Sequence, residues 1–352
     1  MAAIYDFGFT ATQQAAVGEM MMDYFIQSPG VEQTHNIKTK VVNGEYLAEV
    51  GALGLMGKAD GGCGMAADTF TGSTASILWA TKSWKIKRSE CYTGIEDSIK
   101  QWGKKQGIDP ADMQADDYMN YVVDAFSPAM AEYFWRAAWF TDTTATDYAH
   151  AGYITTGIDI TYFTWNDGFW KLIRTQVGVD ATQRVTLAAN AQATYALQES
   201  AFSSTDAYNY LDAAYNKATA VRKIRESANP VIMMTRSYAD RFDKYLEGKD
   251  LPETFSILLD GVRQRSFRGI PIVVCPYWDT TIRTYEDSTA AWRDPHRALL
   301  TYRDNLIVGT KADSLFAGID MFYDKKSEEN IFKAMGDIQT SFMYANRFIA
   351  IY

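Results

Sequence analysis

Apolar side chains recur at three- and four-residue intervals between Asp116 and Phe140, the clearest periodic pattern in the chain. This spacing places them on one face of an α-helix, so it predicts a long amphipathic helix that serves as a core or interface element. Pro128 is expected to kink or split the helix, because proline has no amide hydrogen to donate to the preceding turn. The apolar face consists of Tyr118, Tyr121, Val122, Ala125, Phe126, Ala129, Tyr133, Phe134 and Ala137.

Two stretches with strand-like patterns flank a glycine-rich segment earlier in the chain. They run from Ile37 to Leu53 and from Ser76 to Arg88, and residues 51–64 between them contain six glycines in fourteen positions. The pattern predicts a long β-hairpin. A two-stranded ribbon is marginal alone, so we expect it to lie on another body, such as a neighbouring subunit. The predicted tip holds Gly54, Gly57, Lys58, Gly61, Gly62 and Gly64.

Further elements are predicted in the second half of the chain. Ser203 to Asp206 supplies the N-cap of a helix that runs from Tyr208 to Ile224. Val231 to Met234 predicts a buried strand, and Ser237 to Leu246 predicts a short helix that ends at Gly248. This order of elements predicts a compact mixed α/β domain.

The remaining apolar stretches predict shorter elements. Thr10 to Phe25 suits a short helix, and Thr141 to Phe163 suits short strands and loops. Phe267 to Val274 predicts one apolar strand. Two hairpins are predicted where apolar stretches are joined by polar connections: one from Ala298 to Gly309 and one from Ile331 to Tyr352.

Composition and charge narrow the function. A chain of 352 residues with 47% hydrophobic and 14% aromatic residues can fill two or three packed units. The net charge of −9 disfavours a protein whose main task is to grip nucleic acid, but it does not exclude a container that is filled by an external motor. One basic set is interpreted either as a solvated face or as a phosphate-facing patch: Lys82, Lys85, Lys87, Arg88, Lys104 and Lys105.

The sequence shows no pattern of catalytic or metal-binding residues. The three histidines lack a second histidine or cysteine at metal-ligand spacing, and the three cysteines lie far apart. Ala52 and Ala59 break the phosphate-loop pattern around Lys58, and no Gly-x-Ser-x-Gly elbow occurs. Cys275 lies in an apolar stretch, where burial raises a thiol pKa. We therefore expect a protein that is not an enzyme and uses no cofactor or metal.

A carbohydrate-active enzyme with paired carboxylates is the alternative from a different class. Carboxylates are plentiful, and Tyr162, Trp165 and Trp170 are candidates for stacking on sugar rings. The particle size in solution tests this alternative, because a hydrolase elutes as a monomer or small oligomer.

The order of the elements resembles the major capsid proteins of tailed double-stranded DNA bacteriophages. A β-rich hairpin followed by a long amphipathic helix is similar to that family's extended loop and spine helix. Asn229 to Phe242 is similar to its strand that enters a short helix, and Arg268 to Ile272 resembles its following strand. Three later stretches are similar to the returning sheet of that family: Leu299 to Gly309, Met321 to Asp324 and Ile331 to Phe342. Encapsulin shells share this fold.

The resemblance implies an α+β chain with the tailed-phage major capsid fold. Its parts would be an N-terminal arm (1–30), an extended β-hairpin loop (31–92), a peripheral domain with the spine helix (93–165), a mixed α/β axial domain (166–300) and a return to the peripheral domain (301–352). The hairpin-tip residues would act in assembly, and the basic set would face DNA. Assembly roles on the spine helix would fall to Tyr121, Phe126, Tyr133 and Phe134.

The resemblance also implies a structural role in a virion. Subunits would self-assemble as pentamers and hexamers into an icosahedral shell around double-stranded DNA, after synthesis in the host cytoplasm. Scaffolding, portal and decoration proteins would be partners, the DNA contacts would be weak and non-specific, and no membrane would be involved. Another phage head or tail component, or an encapsulin-type shell, is the nearest alternative.

Overall fold

The chain is described here from a computed structural model. The described residues are 34–53, 72–90, 100–107, 115–188, 190, 192, 194–219, 222–227, 229–249, 256–259, 262–286, 292–313, 318–324, 326–327 and 329–352. The predicted helix at 10–25 and the glycine-rich tip therefore lie outside the described residues.

The long predicted helix is confirmed as α1, Ala115–Trp139. It runs through Pro128 without a break, so the split is wrong, and the kink that was the other expected effect stays a prediction. Pro128 lies at an exposed position on the helix. In the C-terminal half, Phe134, Trp135, Ala138 and Trp139 are buried at the three- and four-residue spacing of one helix face.

Five further α-helices follow α1 in the described part of the chain. They are α2 (Phe169–Val179), α3 (Tyr195–Ala201), α4 (Ser204–Lys217), α5 (Arg236–Glu247) and α6 (Pro276–Tyr285). Residues 100–106 are also helical. Short 3-10 turns lie at Tyr148–His150, Ile160–Tyr162, Ala181–Gln183 and Arg303–Asn305.

Fourteen strands are assigned among the described residues, and they form three sheets. They are β1 (Asn36–Lys38), β2 (Tyr46–Leu53), β3 (Gly72–Leu78), β4 (Lys82–Glu90), β5 (Arg184–Val185), β6 (Pro230–Met234), β7 (Ser256–Leu259), β8 (Val262–Phe267), β9 (Ile270–Val274), β10 (Ala298–Tyr302), β11 (Leu306–Gly309), β12 (Gly318–Asp324), β13 (Glu329–Phe342) and β14 (Ile349–Ile351).

A five-stranded sheet is built around the long strand β13. Its order is β1-β11-β13-β12, and β4 also pairs with β13, antiparallel, from Lys82 opposite Ile338 to Glu90 opposite Asn330. Alternate β13 side chains point to one face of the sheet. On that face Phe332, Ala334 and Ile338 are buried in the same apolar cluster as the aromatic side chains of α1 and α2.

A seven-stranded sheet, β5-β14-β10-β6-β9-β8-β7, separates two apolar clusters. Met233, Leu299 and Ala350 point to the cluster that contains α1, α2 and α6. Their neighbours Ile232, Leu300 and Ile349 belong to the second cluster, which is covered by α4 and α5. The alternation of strand side chains thus places helices on both faces of this sheet.

The third sheet is a two-stranded ribbon of β2 and β3. A small apolar cluster at its root contains Trp79, with Ile77 from β3 and Ile307 from β11. Trp79 lies directly on the backbone of Gly309, where a β-carbon would come within 2.2 Å of the indole ring. Asn43 Oδ1 also accepts hydrogen bonds at this root from the backbone N–H (3.0 Å) and the hydroxyl (2.9 Å) of Thr81.

Three predicted strand-like stretches are in fact divided. The stretch from Ile37 to Leu53 separates into β1, which pairs with β11, and β2, which pairs with β3. The stretch from Phe267 to Val274 is interrupted at Arg268 and Gly269, whose φ angles of 51° and 82° form a two-residue hairpin turn. The stretch from Ser76 to Arg88 is divided between the ribbon and the five-stranded sheet, because the chain leaves β3 after Leu78 and pairs with β13 from Lys82.

Four other predictions need correction. The helix predicted to reach Ile224 ends at Lys217, although Ser203 caps it as expected by accepting a hydrogen bond from the Asp206 N–H. Thr141 to Phe163 forms turns, 3-10 segments and one isolated bridge in place of short strands. The two hairpins predicted from Ala298 to Gly309 and from Ile331 to Tyr352 are crossovers, since β10 and β14 belong to the seven-stranded sheet and β11 and β13 to the five-stranded sheet. In the described part of the chain, no helix has both the length and the apolar character needed to span a bilayer.

Candidate assembly surface

The predicted hairpin is confirmed over its two arms. β2 and β3 pair antiparallel, with Tyr46 opposite Leu78, and these two side chains are 67% and 48% exposed. Val42, near the root, is also exposed. Large apolar side chains at the base of a two-stranded ribbon leave apolar surface in water that another molecule could cover. The tip residues predicted to act in assembly, Gly54, Gly57, Lys58, Gly61, Gly62 and Gly64, lie outside the described residues.

The four aromatic residues predicted to act on the spine helix have different environments. Phe134 is fully buried and packs edge to face on Trp84, with ring centroids 5.4 Å apart. Tyr121, Phe126 and Tyr133 are only partly buried. Burial raises the pKa of Tyr133 well above its usual value, so this phenol stays protonated. Within the subunit, Phe134 is a core residue, whereas the other three lie at its margin.

The predicted basic set is divided among different surfaces. Strand alternation places Lys85 and Lys87 on the face of β4 opposite the buried Trp84, while Lys82 and Arg88 fall on the same face as Trp84. All four are exposed. Lys104 and Lys105 are exposed on a separate helical segment. That segment is held against α1 by Trp102, whose Nε1–H donates to Asp124 Oδ2 at 3.0 Å.

One groove joins members of the aromatic and basic sets. It has a volume of about 580 Å³ and lies between β4 and α1. Six consecutive β4 residues, Ser83 to Arg88, form one side, and Phe126, Tyr133 and Arg136 of α1 contribute to the other. Trp165 stacks nearly parallel to Tyr133, with centroids 6.3 Å apart, and extends the aromatic floor.

Arg136 adds a positive charge that lies outside the predicted basic set. Its guanidinium group lies 5.8 Å from the ring centroid of Tyr133, 5.7 Å from that of Phe163 and 5.6 Å from that of Tyr285. Glu132, one turn earlier on α1, is 3.6 Å from it. The groove therefore combines aromatic surface with a mainly cationic border. In the sequence, only the i, i+3 spacing of Tyr133 and Arg136 indicates that Arg136 lies beside aromatic rings, because Tyr285 is distant in sequence.

A buried ionic cluster lies elsewhere, beside the end of α1. Arg297 is fully buried and pairs with Glu286, and its Nε–H donates to the Asp294 carbonyl at 2.9 Å. Arg174 pairs with the Asp294 carboxylate at 3.1 Å. Burial alone would raise the pKa of Asp294, but the surrounding guanidinium groups bring it below its usual value. These charges neutralise one another between packed elements, which is the arrangement of a structural network.

The titratable residues considered for catalysis occupy structural positions. His35 is buried and accepts a hydrogen bond from Trp139 Nε1–H at 3.0 Å. His296 is buried against Phe202, and burial lowers its pKa to about 4. Cys275 is buried and burial raises its pKa, as the sequence indicated. Trp170 is 1% exposed, so it cannot stack on a sugar. Among the described residues, no group of three His, Cys, Asp or Glu side chains could hold a metal ion.

Comparison with known proteins identifies the fold through structure alone. No protein-family model matches the sequence, and no curated protein matches it. A chain of the satellite phage P4 procapsid that includes the size determination (Sid) protein aligns with a TM-score of 0.52 and 13% identity, over 95% of this chain and 98% of that one. The protein therefore has a phage major capsid-like fold.

Two further solved structures support the capsid-like fold. The capsid structure of cyanophage P-SCSP1u aligns with a TM-score of 0.50 and 11% identity, over 92% of this chain and 88% of that one. A structure of Gordonia phage Cozz aligns with a TM-score of 0.50 and 10% identity, over 91% of this chain and 85% of that one. Each alignment extends over more than 90% of this chain, and the phage major capsid-like fold that the resemblance implied is confirmed.

Proposed function

We propose that the protein is a structural subunit of a phage capsid. The observation that carries this proposal is the alignment along nearly the whole chain with a procapsid structure. The exposed Tyr46 and Leu78 at the base of the ribbon agree with it, because they offer a neighbouring subunit apolar surface to cover. The titratable residues examined above serve packing and ion pairing, which is consistent with a role in architecture.

We further propose how the subunits assemble. Subunits would form pentamers and hexamers and close into an icosahedral shell that encloses double-stranded DNA. Scaffolding, portal and decoration proteins would be further partners, and the subunit would be made in the host cytoplasm before it enters the virion. The division of the basic set favours weak, distributed contacts with DNA, because Lys85 and Lys87 lie on one face of β4 and Arg88 lies on the other.

The domain boundaries given above remain part of this proposal. The spine helix α1 and the five-stranded sheet would belong to the peripheral domain, and the seven-stranded sheet with α4 and α5 would belong to the axial domain. Both contribute to one continuous apolar cluster, in which Trp139 of α1 meets Trp278 of α6 at a centroid distance of 4.6 Å. The two units are therefore expected to move as one body.

Negative-stain electron microscopy of the purified chain tests the proposal. The chain is expressed alone and together with a scaffold candidate encoded beside it. Closed, uniform icosahedral particles are the expected result. Rings or tubes would favour another head or tail component, and small particles under both conditions would contradict a shell and return attention to the carbohydrate-active alternative.

A further inference from the structure

A cavity of about 520 Å³ lies beside the buried ionic cluster that contains Arg297, Glu286, Asp294 and Arg174. Asp294 lines the cavity, and so does its neighbour in the chain, Arg293. The volume falls within the range of small-molecule sites in proteins. A small ligand in this cavity would therefore reach one side of the cluster.

Arg293 is the cation of this cluster that lacks a close carboxylate. Arg297 pairs with Glu286, and Arg174 pairs with Asp294 at 3.1 Å. The Nε atom of Arg293 lies 4.0 Å from the Asp294 carboxylate, which is beyond hydrogen-bond distance. Among the described residues, three guanidinium groups thus share two carboxylates, and one positive charge remains uncompensated.

The cluster is also short of hydrogen-bond acceptors. The Nη1 atoms of Arg293 and Arg297 are buried, and neither has a partner in the described part of the chain. The Arg293 guanidinium group lies 3.8 Å from the ring centroid of Tyr153, and this stacking holds it in place. A buried N–H of a charged group without an acceptor costs free energy, so an acceptor supplied from the cavity would stabilise Arg293.

Arg184 brings a second guanidinium group to the cavity wall. Its Nε–H donates to the main-chain oxygen of Tyr352 at 3.0 Å, and its guanidinium group lies 4.1 Å from the Tyr352 ring centroid. Its other side-chain N–H groups donate to no described residue. Both arginines of the wall therefore keep donors for a ligand.

Two further titratable residues, Asp206 and His296, line the same cavity. The Asp206 carboxylate accepts a hydrogen bond from the Ser203 hydroxyl at 2.7 Å, at the N-terminus of α4. Burial lowers the pKa of His296 to about 4, so this imidazole is neutral near pH 7. Neither residue supplies positive charge, and recognition of an anion would depend on Arg184 and Arg293.

The chemistry of the wall fits a phosphate group. Guanidinium groups bind phosphate oxygens through charge-assisted, bidentate hydrogen bonds. A phosphate dianion matches the two charges of Arg184 and Arg293, whereas a carboxylate or a chloride ion matches only one. Phe202, Tyr210 and Trp292 line the same cavity and offer apolar surface to an organic group attached to the phosphate.

We propose that this cavity binds a phosphate group, either as inorganic phosphate or as a small phosphate monoester. Arg184 and Arg293 donate hydrogen bonds to the phosphate oxygens, and the aromatic side chains contact the organic part of an ester. The site lies within one chain, so binding does not require the proposed shell.

Fluorine NMR of the full chain labelled with 5-fluorotryptophan tests binding and location together. The signal of Trp292, assigned through Trp292→Phe, is expected to shift as inorganic phosphate is added, with half of the change at about 1 mM or below. The signal of Trp102, which lies outside the cavity lining, is expected to stay in place. Sodium chloride at equal ionic strength is the blank. If phosphate shifts the Trp292 signal no more than chloride does, the cavity holds only water and the proposal fails.

Arginine variants identify the side chains that bind. Arg293→Gln is expected to raise the phosphate concentration at half change by about tenfold or more, and Arg184→Gln by about threefold or more. Arg225→Gln, at an exposed arginine outside the lining, is the matched control and should leave it unchanged. Arg184 is partly exposed, so its variant keeps the test decisive even where Arg293→Gln does not fold. Unchanged affinity in Arg184→Gln would overturn the assignment.

Two organic ligands distinguish free phosphate from an ester. Adenosine monophosphate is expected to shift the Trp292 signal, and adenosine is expected to leave it in place because it lacks the phosphate. Tighter binding of adenosine monophosphate than of inorganic phosphate would assign the site to esters, and the reverse order would assign it to free phosphate. Adenosine that binds as tightly as its monophosphate would contradict recognition of a phosphate group.

Discussion

Helix α1 and the β2–β3 ribbon differ in what covers their apolar side chains. Trp135 and Trp139 of α1 are fully buried inside the subunit, whereas Tyr46 and Leu78 of the ribbon are 67% and 48% exposed. Helix α1 is therefore stabilised by its own chain. No described part of the chain covers the ribbon side chains to a comparable extent, so changes in the two regions should affect different properties: folding for α1 and, under the proposed function, association for the ribbon.

The largest expected effect comes from the core side of this comparison. Trp139→Ala removes a buried indole that packs on Phe169, Trp170 and Trp278 and donates to His35. The free energy of unfolding should fall by about 3–5 kcal/mol because a large cavity is left. Urea titration followed by circular dichroism measures the change. Val179→Ala, at a residue that is 79% exposed, is the control, and a loss below about 1 kcal/mol for Trp139→Ala would contradict the core assignment.

The next effect is a loss of folding stability in acid. Burial lowers the pKa of His296 to about 4 from its ordinary 6.5, so the unfolded chain takes up a proton at a higher pH than the folded chain does. The contribution of neutral His296 is thus complete above pH 6.5 and is lost as the pH falls toward 4. Its size should be on the order of 3 kcal/mol, since each pKa unit corresponds to about 1.4 kcal/mol.

Urea titrations across this pH range measure the contribution of His296. His296→Gln is expected to flatten the curve, whereas Val179→Ala, at an exposed residue without a titratable group, should leave it unchanged. An equal acid dependence in wild type and His296→Gln would show that other groups are responsible.

A smaller effect is expected at the root of the ribbon. Asn43→Ala removes the acceptor for the Thr81 N–H and hydroxyl, and it should cost about 1–2 kcal/mol. Amide exchange in β2 and β3 should become faster, while exchange in α1 should stay the same. Asn43→Asp keeps the acceptor and should preserve most of the protection. Equal acceleration in α1 would show that ribbon and core unfold together.

The smallest effect on stability, and the sharpest test of the comparison, is expected at Tyr46. Tyr46→Ser should change the free energy of unfolding by less than about 0.5 kcal/mol, because the side chain is exposed in the subunit. Under the proposed function it should nevertheless reduce the yield of closed particles in electron microscopy. Thr143→Ser, at another exposed position, is the matched control. Normal particle yield for Tyr46→Ser would exclude Tyr46 from the subunit interface.

The sequence predicted those elements whose signal is local. The period of α1 and the serine cap of α4 depend on neighbouring residues, and both were confirmed. The β2–β3 hairpin followed from strand-like patterns on both sides of a glycine-rich segment. The capsid-like fold was recognised from the order of such elements.

Pairing between distant segments could not be predicted in the same way. Trp84 and Phe332 lie on paired strands more than two hundred residues apart, and nothing near Trp84 indicates that partner. The division of Ser76 to Arg88 between two sheets also depends on these distant contacts. The groove was missed for the same reason, because its aromatic floor brings Tyr285 and Trp165 to α1 only in the folded chain. Arg297 carries no sequence signal for full burial, since its counter-charge Glu286 becomes a partner only through packing.

The contact between Trp79 and Gly309 has a mechanical consequence. Trp79 lies between the ribbon and β4, and its indole ring rests on the backbone of β11 with no side chain between them. Tension applied along the ribbon would be transmitted through this rigid ring to β11 and then, by backbone hydrogen bonds, to β13. The indole–glycine contact, together with the Asn43–Thr81 hydrogen bonds, would therefore restrict the angle between the ribbon and the five-stranded sheet.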